Sequence, residues 1–219
     1  MNFFAVFIDL ENLEKTAKQE AGAAIDYKQL AAFVHELARP HGKVTNIYAY
    51  ADFDKGEMGK QTKLMNLGIQ PKHVVTKTPF QYLKGSTDIE LSLDILDTMY
   101  QYAHINHFLI ISGDGDLRHV IRRLKINGKT IHVVGFAGHT NKLIVEMADY
   151  FYPLEFHHPI LRKITMSERE EKTKRLFLNP WAKIVVETLD HLERTTKKRI
   201  YRTQFVSQTT CRKISGGRN

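Results

Sequence analysis

The sequence predicts an α/β protein: an open, mostly parallel sheet with helices on both faces, followed by a small helical C-terminal segment. Three observations predict it. Strand-like and helix-like segments alternate five times between residues 3 and 151. The runs 108–111 and 131–134 are apolar without alternation, the pattern of strands covered on both faces. With 219 residues, 42% of them hydrophobic, the chain fills one substantial core and a small second module.

Each element has its own signal. "FFAVFID" (3–9) is short, apolar and β-rich; "AIDYKQLAAFVHELARPHG" follows, with Asp26 as N-cap, apolar residues at helical spacing and a Pro-His-Gly stop. The same order recurs in "VTNIYAYADF" (44–53) before "KQTKLMNLG", and in "KHVVTKT" (72–78) before "STDIELSLDILDTMYQYA". It recurs again in "HFLIIS" (107–112) before "DLRHVIRRLKING", and in "KTIHVVGF" (129–136) before "TNKLIVEMADYF". The body is therefore assigned to residues 1–154 and a charged linker to 155–178, centred on "SEREEKTKR". Residues 179–219 read as a small basic helical module, a partial helix-turn-helix or winged helix. Asn179 serves there as N-cap, Pro180 as first helical residue, and Trp181, Ile184, Val185, Leu189 and Leu192 as an apolar stripe.

Composition narrows the function classes. No apolar run approaches the ~20 residues that cross a bilayer, and the N-terminus enters a strand without a basic region or cleavage site. A cytoplasmic protein with no membrane partner is expected. Cys211 is the one cysteine, which excludes an intramolecular disulfide framework and a cysteine zinc cage. Residues 1–154 hold 17 Lys and Arg against 17 Asp and Glu, whereas 155–219 hold 15 against 7, so the net charge of +8 lies in the tail. A cluster such as "RTTKKRIYR" suits a phosphate backbone, or equally a solvated helix end.

In an open α/β sheet, ligands bind outside the C-terminal ends of the strands, where strand order reverses. Asp9 ends the first strand, Asp114 and Asp116 follow the strand 107–112, and Asp88 opens the helix behind the turn "KGSTD". All four fall on one rim. Like charges gathered there are unfavourable unless protons or cations neutralise them, and clustered oxygen ligands suit Mg²⁺ or Mn²⁺. For any one of these residues alone, helix capping explains the acid as well. Acids on three strands meeting at one place have no such explanation. Asp94 and Asp97 lie further along the Asp88 helix, about 120° round from it for Asp94, and are weaker members.

"VFIDLENL" (6–13), "KGSTDIELSLDIL" (84–96) and "IISGDGDLRHVIRRLKINGKTIHVVG" (110–135) together resemble the NYN domain, the PIN-like nuclease fold of the LabA-like proteins. The resemblance spans roughly residues 1–154. It implies a divalent-metal site for phosphodiester cleavage, usually of RNA, made by Asp9, Asp88, Asp114 and Asp116, with Asp94 as a further member and Asn12 beside them. Asp9 and Asp114 are expected to hold the metal, and Asp88 and Asp116 to bind it through waters and orient the nucleophile. Substrate contacts are expected from Asn12, Lys84, Ser112 and Arg118, although Lys84 reads equally as a solvated turn lysine.

One departure stands out. Glu11 occupies a position where many members carry glycine or a small residue, and its side chain either joins the acids or points to solvent. Asn141 and Asp149 read as structural. The 11 histidines include no zinc-hydrolase pair and read mostly as surface or packing residues. Two functions follow: a metal-dependent ribonuclease acting on single-stranded or structured RNA, or an RNA-binding protein on the same fold that does not cut. A dehalogenase-type phosphatase is disfavoured by Glu11 standing where its second aspartate belongs, and a Toprim domain by Asp9 standing where its glutamate belongs. The C-terminal segment is expected to bind RNA, a protein partner or a second copy.

Overall fold

A computed structural model describes residues 2–54, 59–75, 86–155 and 158–164. Its main sheet has six strands, β1 (Phe3–Asp9), β3 (Lys43–Ala51), β4 (Gln70–His73), β5 (Ile105–Ile111), β6 (Thr130–Phe136) and β7 (Tyr150–Leu154), in the order β4-β3-β1-β5-β6-β7. Every neighbouring pair in it is parallel. The open parallel sheet with helices on both faces expected from the sequence is the one found.

The order fixes where a ligand can sit. From β1 the chain moves outward through β3 and β4, then returns to lay β5 on the other side of β1 and continues to β6 and β7. The reversal opens a crevice at the C-terminal ends of β1 and β5. Register pairs Ile8 with Ile111, so Asp9 and Ser112 leave the sheet side by side.

Both faces of the sheet are buried, which is why its central strands carry no polar alternation. Phe4, Val6 and Ile8 of β1 join Leu109, Ile111 and Val134 under α1 (Leu10–Ala21) and α2 (Tyr27–Ala38). Ala5 and Phe7 point the other way, with Phe108, Ile110 and Val133, under α4 (Ser86–Gln101) and α5 (Arg118–Ile126). The 3₁₀ turn Gly115–Leu117 leads into α5, while α3 (Lys60–Asn66) and α6 (Lys142–Met147) complete the helices among the described residues.

Several elements differ from the sequence expectation. Helix α1 is found where none was expected, because only Leu10, Leu13 and Ala17 of its twelve residues are buried and its apolar stripe is thin. The strand expected at 72–78 starts earlier, at Gln70, and pairs through His73 with Tyr48–Ala51 of β3; residues 76–78 lie outside the described residues. The linker expected from residue 155 starts with structure instead. Leu161–Lys163 form β8, antiparallel to β2 (Ala23–Ile25), and Ile160 is buried under α2's entry. The rest of the expected linker and the helical module at 179–219 lie outside the described residues.

Candidate metal centre

Asp9 is the last residue of β1 and the N-cap of α1, and is 3% exposed. Its Oδ1 accepts from the Asn12 N–H at 3.0 Å, and its Oδ2 accepts from the Ser112 hydroxyl at 3.1 Å. Those bonds favour the carboxylate, yet burial outweighs them, and with Asp88 and Asp114 nearby the group is pushed up to about 7. Asp88, in the first turn of α4, is pushed up to about 6 by burial and then by Asp114, Asp116 and Glu11. Acids from β1, α4 and the turn after β5 thus sense one another. This is the convergence that capping alone does not explain.

Capping and convergence coexist. Asp114 caps the 3₁₀ turn, its Oδ1 accepting from the Asp116 N–H at 2.9 Å, and its own N–H donates to the Ser112 hydroxyl at 3.2 Å. Ser112 therefore links the turn to Asp9. Gly115 sits so close to the Asn141 amide that a Cβ there would collide with it, which lets the cap of α6 pack against the acidic turn. The Gly113 N–H reaches Asn12 Oδ1 at 3.4 Å.

The remaining expected residues divide clearly. Asp116 faces solvent and pairs with Arg118 at 3.2 Å, so Arg118 spends its guanidinium on Asp116 and the Gly115 carbonyl. Asp94 is not brought to the group. It accepts from the Tyr50 hydroxyl at 2.7 Å and meets Lys72 at 3.1 Å, and its turn of α4 faces β3. The expectation of a further metal ligand at Asp94 is corrected by helical rotation. Asn12 and Ser112 line a cleft with Thr16, Gly113, Gly135 and His139 beside the acids. Lys84 lies outside the described residues.

Of two further features, the sequence left the first open and did not reveal the second. Glu11 turns inward, accepting from the Thr87 hydroxyl at 3.2 Å and adding its charge to Asp88. Asp52, Asp54 and His73, at the C-terminal ends of β3 and β4, bring one ligand atom each within 4.8 Å of the others. The signal was present in "YADFD", whose acids follow a strand as Asp9 does. Their geometry is already closed in part: the Phe53 N–H donates to His73 Nδ1 at 3.2 Å, the Asp54 N–H donates to Asp52 at 3.3 Å, and His73 Nε2 lies 3.6 Å from Asp54.

By the chemistry of its donors the main group suits a hard divalent cation, although among the described residues only Asp52, Asp54 and His73 bring three ligand atoms within 4.8 Å of one another. Its donors are all carboxylate oxygens, one is almost fully buried, and among the described residues no Lys or Arg pairs with Asp9, Asp88 or Asp114. Burial and mutual repulsion disfavour the charge on two of them, and a cation relieves both. Among the described residues no helix is long and apolar enough to cross a membrane.

Comparison with known proteins agrees with this architecture. The family described as the NYN domain matches residues 3–155. A solved structure of a Vibrio parahaemolyticus protein of unknown function superposes with a TM-score of 0.58 at 21% identity, covering 70% of this chain and 93% of that one. That likeness concerns the fold. No curated protein matches the chain.

Proposed function

The chain belongs to the NYN family, and on that premise we propose that it is a metal-dependent ribonuclease hydrolysing phosphodiesters at the acidic rim. The observation that carries the reading is the buried Asp9 carboxyl at the end of β1, which meets acids from α4 and from the turn after β5, so that burial and these neighbours raise both Asp9 and Asp88. Mg²⁺ or Mn²⁺, when bound, supplies an acidified water and neutralises charge on the phosphate and the leaving oxygen. Asp9 and Asp114 hold the ion, and Asp88 orients the attacking water. Asp116, exposed and tied to Arg118, contributes charge at the rim. The Ser112 hydroxyl, buried, fixes Asp9 Oδ2, and Asn12 in the neighbouring cleft meets the RNA chain. Lys84 and the basic C-terminal residues add phosphate contacts. The protein acts in the cytoplasm.

The test is cleavage of labelled single-stranded and hairpin RNA by the purified full chain with Mg²⁺, Mn²⁺ or EDTA. Cutting is expected with either metal and is abolished by EDTA, and Asp114→Asn lowers the rate ~10²-fold or more. Binding without cutting under every divalent metal would leave the RNA-binding reading in its place.

A further inference from the structure

The exposed face of α4 presents an apolar surface that the acidic rim does not use. Ile89 is 61% exposed, Leu93 53% and Tyr100 66%, and partly buried Leu96 lies between the last two. At ~100° per residue these four positions fall within about 60° of one another, and the seam they make runs about 16 Å along the helix. Large apolar side chains aligned in this way are the anchors a partner helix seats between its own i, i+3, i+4 and i+7 positions.

Charge decides the occupant. Residues 86–101 contain Asp88, Glu90, Asp94 and Asp97 and no Lys or Arg. Asp94 is taken by Tyr50 and Lys72. Glu90 and Asp97 flank the seam on one side, and among the described residues neither meets a cation within ion-pair distance. Two copies of α4 pairing with each other would set acid against acid. RNA and anionic lipid are repelled for the same reason.

We propose that α4 is a docking surface for a basic amphipathic helix of a partner protein, whose apolar face covers Ile89, Leu93 and Tyr100 and whose Lys or Arg residues meet Glu90 and Asp97. The seam begins one residue beyond Asp88, so the docked helix ends at the acidic rim. The inference does not depend on the rim being catalytic.

The experiment measures fluorescence anisotropy of two labelled amphipathic 18-residue peptides with the full chain. Both carry leucines at helical spacing; one has lysine and arginine flanks, the other glutamate flanks. The basic peptide is expected to bind ~10-fold or more tightly than the acidic one, and Ile89→Ser with Leu93→Ser to weaken it ~10-fold or more, as loss of central anchors does. Glu90→Lys with Asp97→Lys should reverse the order of the two peptides. All four positions are exposed, so unchanged melting curves confirm that the variants fold. Equal affinity for both peptides, or basic-peptide binding untouched by the Ser substitutions, overturns the proposal. So does a concentration-dependent dimer in sedimentation that Leu93→Ser abolishes, because the occupant is then a second copy.

Discussion

The two ends of β1, β5 and β6 bury ionisable groups in opposite ways. At the C-terminal end, Asp9 is held among other acids and pushed up to about 7. Toward the N-terminal end, His107 Nδ1 of β5 and His132 Nε2 of β6 are hydrogen-bonded at 2.9 Å, and His132 Nδ1 lies 3.2 Å from the Tyr152 hydroxyl. Phe4 of β1 stacks on His107, and His41 and Tyr150 pack against His132. Burial pushes His132 down to about 3, helped by His107 and His41 against Asp149, and lowers His107 too. The histidines satisfy one another as neutral rings. The acids do not, because a carboxylate cannot donate to a carboxylate without taking up a proton. Burial alone therefore does not mark a site; a buried group whose neighbours cannot complete it does.

The largest effect that separates the ends is on rate. Asp9→Asn combined with Asp114→Asn should lose little more activity than either alone, ~10²-fold or more, as residues acting through one ion do. His132→Ala should leave the rate per folded molecule unchanged. Independent, small losses at the two acids would dissolve the contrast.

Stability should show the reverse. His132 is 0% exposed and bonded on both nitrogens, so truncation to Ala leaves a cavity and unpaired partners and should cost about 2–4 kcal/mol in a denaturant titration. Asp9→Asn removes a repelled charge while keeping its size, and should cost far less or stabilise.

The pH dependence has opposite signs at the two ends. His132 is lowered from 6.5 in the fold, so its contribution is complete above 6.5 and is lost as pH falls toward about 3. Asp9 and Asp88 are raised from 3.8, so their contribution is present in acid and is lost as pH rises to about 7. Each group changes stability by at most about 1.4 kcal/mol per pH unit. In Asp9→Asn with Asp88→Asn only the histidine limb remains, and stability measured from pH 7 to 5 should fall more steeply than in the wild type.

The smallest effect is metal-linked melting. Mg²⁺ at ten times its Kd should stabilise the wild type by about 1.4 kcal/mol, a rise of a few degrees. Asp114→Asn should show almost none of it. Equal curves with metal and with EDTA for the wild type would leave the acidic end as uncompensated as it stands.

Sequence reasoning succeeded where one strong signal governs. Strands buried on both faces announce themselves as unbroken apolar runs, and acids placed just after such runs reach one rim whatever the details of packing. The placement of Asp9, Asp88, Asp114 and Ser112 around that rim was legible for that reason. Asp94 was not, because its direction depends on how α4 is rotated against β3, which Tyr50 and Lys72 set from distant parts of the chain. Glu11 was undecidable for a similar reason, its partner Thr87 being 76 residues away. Strands β2 and β8 have three residues each, too few to show a period, and exist only through each other. The pairing of His107 with His132 needs the β5–β6 register, which no local pattern carries.

The strap made by β8 has a practical bearing on where the folded body can be cut. The family resemblance stops at residue 155, but the compact unit runs to Lys163. Between those points Ile160 covers the core, its carbonyl receives the Asp26 N–H at 2.7 Å, and His158 sets its ring edge against Phe33 of α2. A gene trimmed to the family boundary would strip β2 of its only strand partner among the described residues and uncover the entry to α2. An expression clone designed to isolate the α/β body should carry residue 164 as its last.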